Sequence, residues 1–317
     1  MKANSCVVVT GANGLAGSAI VEELKKDHTC IIGMTRKDAD LRNSEEVVKY
    51  FDRVCPDIVI HCAAKVYGLG GNIANQGKSF FENTMINTNV IRASEIFGVK
   101  KIIAMGTNAI YPWPCRLPYQ ENDIWTGPPD KGEAGYGHAK RHMLAMLETY
   151  DIPFTYLVSG NLYGPRDTFN TETGHVLPSL IKKFYDAVQG GPARPWGTVN
   201  VWGDGSASRD FLHSWDLARI VRLMLYAEGQ GAINIGSGDR RSIEYICKML
   251  CNISGLDYSH VRYDTSKPTG RPHCYSDLSR LSALGFQRDT PFHMGLKQTF
   301  DWYAQKRAES PAASASS

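Results

Sequence analysis

Apolar residues along the first half of the chain recur with two periods. Runs at Val7–Thr10, 29–35, 57–62, Lys101–Met105 and 154–158 are short and mostly apolar, and they read as buried strands. Between them apolar residues fall three and four apart: Ile20, Val21 and Leu24, then 44–55, then 80–97, where Ile86, Val90, Ile91 and Ile96 are expected on one face. Strand and helix in alternation predict an α/β fold, a Rossmann-type doubly wound parallel sheet with right-handed crossovers. Ligands of such sheets lie outside the carboxyl ends of the strands. Past about residue 165 the pattern loosens, and Pro/Gly-rich loops alternate with helices at Val176–Val188, Ser214–Tyr226, 242–254 and 291–307. The expected organisation is a dinucleotide-binding domain over 1–165, including a helix that opens near Tyr136. A smaller substrate-binding lobe follows over 166–309, with some segments returning to the first domain, then a disordered low-complexity tail over 310–317.

Composition narrows the function classes. The 317 residues are 43% hydrophobic and 21% charged, with a net charge of +3 and no long run of one sign. This is the balance of a soluble enzyme or binding protein, and it gives no support to a nucleic-acid partner or a membrane surface. No stretch of 18 apolar residues occurs, and a glycine turn interrupts the first apolar run, so neither a membrane span nor a secretory leader is expected. Eight cysteines are scattered without Cys-x-x-Cys or metal-ligand spacing. Cys6, Cys30, Cys62 and Cys247 sit in apolar periodic settings and predict buried free thiols, no metal, and a reducing, cytoplasmic compartment.

The candidate chemistry gathers at the predicted strand ends. After the first strand, Gly11, Gly14 and Gly17 stand three apart in a loop that also holds Asn13 and Leu15. Gly11 permits a sharp turn, Gly14 lets backbone N–H groups approach a pyrophosphate, and Gly17 lets helix and strand pack closely. The second strand ends at Arg36-Lys37, followed by Asp40-Leu41. An arginine at that strand end accommodates the 2′-phosphate of NADP, which favours NADPH over NADH, the bland alternative being a solvated charge. The third strand ends in the small pair Ala63-Ala64, over which a cofactor can lie, and the fourth in Gly106-Thr107. Tyr136 and Lys140 fall four apart on one helical face. Any Tyr-x-x-x-Lys can be an exposed surface pair, but here it follows a strand ending in Gly-Thr. At that interval a hydroxyl, a phenol and an ammonium can converge on one carbonyl.

The glycine loop, Thr107, Tyr136 and Lys140 together resemble the extended short-chain dehydrogenase/reductase family. The segments Ala64-Lys65-Val66-Tyr67-Gly68, Ile110-Tyr111-Pro112, Thr126-Gly127-Pro128, Asn161-Leu162-Tyr163-Gly164-Pro165, His175-Val176-Leu177-Pro178, Val201-Trp202-Gly203 and Asp264-Thr265-Ser266-Lys267-Pro268 resemble the GDP-L-fucose synthases. Those are the GDP-4-keto-6-deoxymannose epimerase/reductases, and the similarity runs from Val7 to about Trp302. The resemblance implies a GDP-sugar substrate with a keto group at carbon 4, reduced by NADPH, in a homodimer paired through the helices near 80–97 and 136–150. Tyr136 would protonate the sugar oxygen, Lys140 would hold the nicotinamide ribose and favour ionisation of Tyr136, and Thr107 stands where the family has Ser. His175, Asn161, Leu162 and Lys65 are carried over as cofactor neighbours, and Asn108, Lys183, Trp202, Arg209 and Arg271 as substrate neighbours.

Two departures from the family pattern bear on the reaction. The family reads Gly-Ser-Ser-Cys before Ile-Tyr-Pro, whereas this chain reads Gly106-Thr107-Asn108-Ala109. Ala109 removes the Cys that the family pairs with a His, here His175, for epimerisation. The family's Lys-Pro-Asp-Gly-Thr becomes Lys267-Pro268-Thr269-Gly270-Arg271, so a carboxylate is gone and a cation has arrived. These changes imply a 4-keto reductase of a hexose or heptose with epimerisation reduced or lost. His175 would then keep only a hydrogen bond, or would work with another group such as Cys115 or His138. The rivals are a bifunctional GDP-L-fucose synthase and a non-catalytic NADP-binding regulatory protein; a 4,6-dehydratase lacks the acid expected beside Thr107.

Overall fold

The computed structural model describes residues 5–171, 174–189, 196–267 and 271–309; the expected tail at 310–317 lies outside them. The chain runs β1 (Val7–Thr10), α1 (Leu15–Leu24), β2 (Ile31–Met34), α2 (Ser44–Val54), β3 (Ile58–His61), α3 (Leu69–Ala74), α4 (Gln76–Ile96), β4 (Lys101–Met105), α5 (Ala134–Thr149) and β5 (Phe154–Ser159). It continues with β6 (Asn161–Tyr163), α6 (Val176–Val188), β7 (Val199–Trp202), β8 (Ser208–His213), α7 (Ser214–Tyr226), β9 (Gly231–Ile235), β10 (Arg240–Ser242), α8 (Ile243–Ser254), β11 (Val261–Asp264), β12 (His273–Cys274), α9 (Ser279–Ala283) and α10 (Phe292–Glu309).

Six of these strands form one parallel sheet in the order β2-β1-β3-β4-β5-β9. Its strands are apolar on both faces because both are covered. Ile20 and Leu24 of α1 pack with Leu217 and Val221 of α7 on one side. Phe51 of α2, Val90 and Ile91 of α4, and Met143 and Leu144 of α5 fill the other. The sheet therefore takes its last strand and one covering helix from residues well past 165. A third core, with Leu177, Phe184, Ile246, Leu250, Leu296 and Phe300, holds the smaller lobe together. The strand order reverses beside β1, so the carboxyl ends of β1, β3 and β4 open on one crevice.

Several local expectations differ from the structure. Helix α4 begins at Gln76, four residues before the apolar pattern starts, because the buried face of its first turns is polar: Ser79, Asn83 and Asn87. Ile96, placed on the buried face by periodicity, is 50% exposed. All eight cysteines are free thiols, yet Cys6, Cys30 and Cys62 are only partly buried. The first two precede their strands and the third follows one, so they lie at strand ends rather than within the sheet. The second half carries short strands of two to six residues where loops were expected, too short to show a period.

Candidate active site

A cavity of about 870 Å³ opens along the carboxyl ends of the sheet and extends beneath the smaller lobe. Every candidate cofactor, substrate and catalytic residue named from the sequence lines it. His138 and Cys115, the alternative proton carriers, do not.

One end is built by the glycine loop. Gly11 has φ +68°, and a Cβ there would lie 2.9 Å from the Ala63 backbone; a Cβ on Gly17 would lie 2.3 Å from the Gly11 carbonyl oxygen. Both positions are held to glycine by contact, which draws α1 tightly against β1 and β3. Gly14 is the N-cap of α1 and no side chain caps that helix, so its first N–H groups and positive dipole end face the cavity. That is an anion site suited to a pyrophosphate. At the end of β2, Thr35 donates to Asp38 from both its N–H and its hydroxyl at 2.8 Å, fixing the turn that presents Arg36. The nearby acid is already engaged: Asp40 accepts from Arg42 at 2.6 Å, which holds its carboxyl down at about 2. The strand end thus offers Arg36 and no unengaged carboxylate at Asp40, an arrangement that fits a phosphorylated ribose.

At the middle of the cavity, α5 presents Tyr136 and Lys140 one turn apart beside Thr107 at the end of β4. Lys140 is 1% exposed, its Nζ donates to the Met105 carbonyl at 2.8 Å, and it lies 5.8 Å from the centre of the Tyr136 ring. Burial pushes the Lys140 ammonium down to about 8. Burial, reinforced by the Glu133 carboxylate, moves the Tyr136 phenol above its ordinary value. Desolvation and the Glu133 carboxylate both favour the protonated phenol. Thr107 accepts from the Ala109 N–H at 3.3 Å and so caps the short turn 108–110. Ala109 itself is buried at the cavity wall, its carbonyl against Gly137 of α5.

The residues carried over for the substrate lie on the smaller lobe's side. Lys183 donates to the Asn200 carbonyl at 2.7 Å, and Arg209 to the Ser208 and Pro272 carbonyls at 2.8 and 3.2 Å. Asn108 accepts from Ser276 at 3.4 Å, and Trp202 is partly exposed. Arg271 is buried against Trp113 and donates to the Tyr119 hydroxyl at 3.0 Å. Residues 268–270, next to it in the departing segment, lie outside the described residues.

Three features escaped the sequence reading. Asp167 lines the cavity near His175; burial raises its carboxyl, and its Oδ2 is buried with no hydrogen-bond partner among the described residues. Glu133 lies beside Tyr136. On α4, Asn83 clamps the backbone of Lys65 from both sides, accepting from its N–H at 2.8 Å and donating to its carbonyl at 2.9 Å. One turn on, Asn87 donates to the Ala139 carbonyl at 3.1 Å, which turns its Oδ1 toward His61 Nε2 at 3.1 Å. Burial depresses His61 to about 3, so the ring is neutral, with its proton on Nε2 and Nδ1 accepting from the Thr10 hydroxyl at 2.8 Å. This network ties the glycine-loop strand to the helix of Tyr136. Two asparagines four apart on an apolar helix face were its available signal.

The sequence profile of the family described as NAD dependent epimerase/dehydratase matches residues 7–236, most of the chain. The chain belongs to the NAD dependent epimerase/dehydratase family. Within that family it is 35% identical to GDP-L-fucose synthase 1 of Arabidopsis thaliana over 303 residues, which is 94% of this chain and 92% of that one. Among solved structures it superposes on a GDP-6-OMe-4-keto-L-xylo-heptose reductase from C. jejuni with a TM-score of 0.89 at 28% identity, covering 96% of this chain and 99% of the other. A GDP-mannoheptose C4 reductase from Campylobacter jejuni with NADP bound gives a TM-score of 0.84 at 29% identity, with coverage of 96% and 99%. Those relatives are named for the synthesis or reduction of GDP sugars, and the chain is, with them, a nicotinamide-dependent enzyme of the NAD dependent epimerase/dehydratase family.

Proposed function

We propose that the protein is an NADPH-dependent reductase of the carbon-4 keto group in a GDP-4-keto-6-deoxy sugar, hexose or heptose, with epimerisation reduced or lost. The observation that carries this reading is the meeting of Thr107, Tyr136 and Lys140 on one cavity wall with Ala109 beside them. The glycine loop would face the cofactor's pyrophosphate, Arg36 its 2′-phosphate, and Lys140 its nicotinamide ribose. NADPH, when bound, supplies the hydride that reaches carbon 4. As charge develops on the carbonyl oxygen, the Tyr136 hydroxyl donates its proton to it, and Thr107 steadies that oxygen by a hydrogen bond. The raised phenol suits this direction, since reduction needs Tyr136 protonated at the start. Lys140, held by the Met105 carbonyl, then stabilises the phenolate until solvent restores its proton. Lys183, Trp202, Arg209, Asn108 and Arg271 would hold the nucleotide sugar.

Epimerisation next to a carbonyl needs a base on one face of the carbon and an acid on the other, and Ala109 moves no proton. A bifunctional epimerase/reductase is the second reading, favoured by Asp167 standing beside His175 in the same cavity. A two-fold dimer through α4 and α5 accords with Phe80 and Phe81 lying exposed on α4, and free thiols at all eight cysteines accord with a cytoplasmic location. The test is to supply GDP-4-keto-6-deoxymannose with NADPH and read cofactor oxidation and product by proton NMR. Reduction with the incoming configuration kept at carbons 3 and 5 is expected. GDP-fucose formed as fast as the keto group is reduced would overturn the reading.

A further inference from the structure

Arg271 differs from the other cations of the cavity in what it leaves unmet. Its side chain is nine-tenths buried, its Nη1 donates to the Tyr119 hydroxyl at 3.0 Å, and its plane lies 5.2 Å from the Trp113 ring centre. The Nε and Nη2 donors, the two-pronged edge that matches a pair of oxygens, are buried and have no hydrogen-bond partner among the described residues. The nearest carboxylate oxygen, on Asp130, is 3.8 Å from Nε, too far for a hydrogen bond. A buried donor left unmet is costly, so a ligand that supplies acceptors there gains what the free protein forgoes. Placement says which part of a ligand that is. Asp130 and Trp113 belong to the loop that leads into α5, and Pro129 of the same loop packs on Gly137, next to Tyr136. Arg271 lines the same cavity as Tyr136, so a ligand that meets its unpaired edge does so at the sugar's end of that cavity.

We propose that the Nε–Nη2 edge of Arg271 is a specificity subsite for acceptor oxygens on the arm attached to carbon 5 of the sugar. The enzyme would thus favour a sugar with an extended, oxygen-bearing arm, such as a heptose, over one ending in the methyl group of a 6-deoxyhexose. The inference rests on the GDP-sugar reading and decides between its hexose and heptose forms.

The test is calorimetric binding of nucleotide sugars that carry no keto group, so that no turnover intervenes. The ligands are a GDP-6-deoxyhexose, a GDP-heptose, a GDP-hexuronate and GDP alone. The wild type is expected to bind the heptose at least ~10-fold more tightly than the 6-deoxyhexose, the scale of one charge-assisted hydrogen bond. Tighter binding of the hexuronate than of the heptose would overturn the assignment, since a carbon-6 carboxylate cannot belong to a 6-deoxy sugar. Arg271→Gln should compress the difference, and so should Arg271→Lys, which keeps the charge without the fork. Equal affinities in the wild type would overturn this inference alone and give the fork to Asp130. No binding of any GDP sugar or of GDP would overturn the GDP-sugar reading with it.

Discussion

Replacing Lys140 by methionine is expected to raise stability while removing activity. The ammonium is 1% exposed and makes a single hydrogen bond, to the Met105 carbonyl at 2.8 Å. Burial lowers it from an ordinary value of 10.5 to about 8. At about 1.4 kcal/mol per pH unit, that fall is roughly 3 kcal/mol of folding free energy lost to the buried charge at neutral pH. Methionine fills a similar volume without the charge. It leaves the Met105 carbonyl without that donor, so the net gain is on the order of 1–2 kcal/mol. The sign of the pH dependence follows from proton counts. Between about 8 and 10.5 the unfolded lysine holds a proton that the folded one has lost, so wild-type stability from this group rises with pH across that window. Thermal or urea unfolding from pH 6 to 10 should show Lys140→Met the more stable at neutral pH, with the gap closing as the wild type gains above about 8. A variant less stable than wild type at neutral pH, or a gap independent of pH, would refute the reasoning. Loss of reductase activity in the same variant would show that the charge is kept for function at a cost in stability.

Three further outcomes are expected. Reductase kcat should fall as pH rises through about 8, because Lys140 loses its proton there, and a flat profile to pH 10 would remove the lysine from the mechanism. Tyr136→Phe should lower kcat by about 10²–10⁴-fold with little change in cofactor affinity, read by NADPH oxidation and by fluorescence titration. Gly17→Ala places a methyl group 2.3 Å from the Gly11 carbonyl oxygen and should cost about 1–3 kcal/mol together with cofactor affinity; an unchanged melting temperature and Kd would contradict the close packing.

Legibility followed the range of the interactions. The glycine loop, the strand ends and the Tyr136/Lys140 pair could be read because each is set by neighbours a few residues away, and the cavity collects all of them. The start of α4 was missed because its buried face there is polar, with Asn83 and Asn87 serving the Lys65 backbone and His61 from 18 and 26 residues along the chain. Periodicity weighs apolar residues and is silent on such work. Asp167 and Glu133 act through burial and neighbouring charge, which are properties of the folded site. The short strands of the smaller lobe escaped because pairing, rather than composition, defines them; β12 is two residues long and exists through its register with β8. Helical spacing likewise brings Lys140 close to Tyr136 but does not reveal that both groups are desolvated.

The most direct test of the central claim is solvent exchange during turnover. With GDP-4-keto-6-deoxymannose and NADPH in deuterated water, the account predicts a reduced product with little or no deuterium at carbons 3 and 5, and uptake at those carbons once Ala109→Cys restores a thiol at the cavity wall. Wild-type product fully labelled at both positions would contradict it.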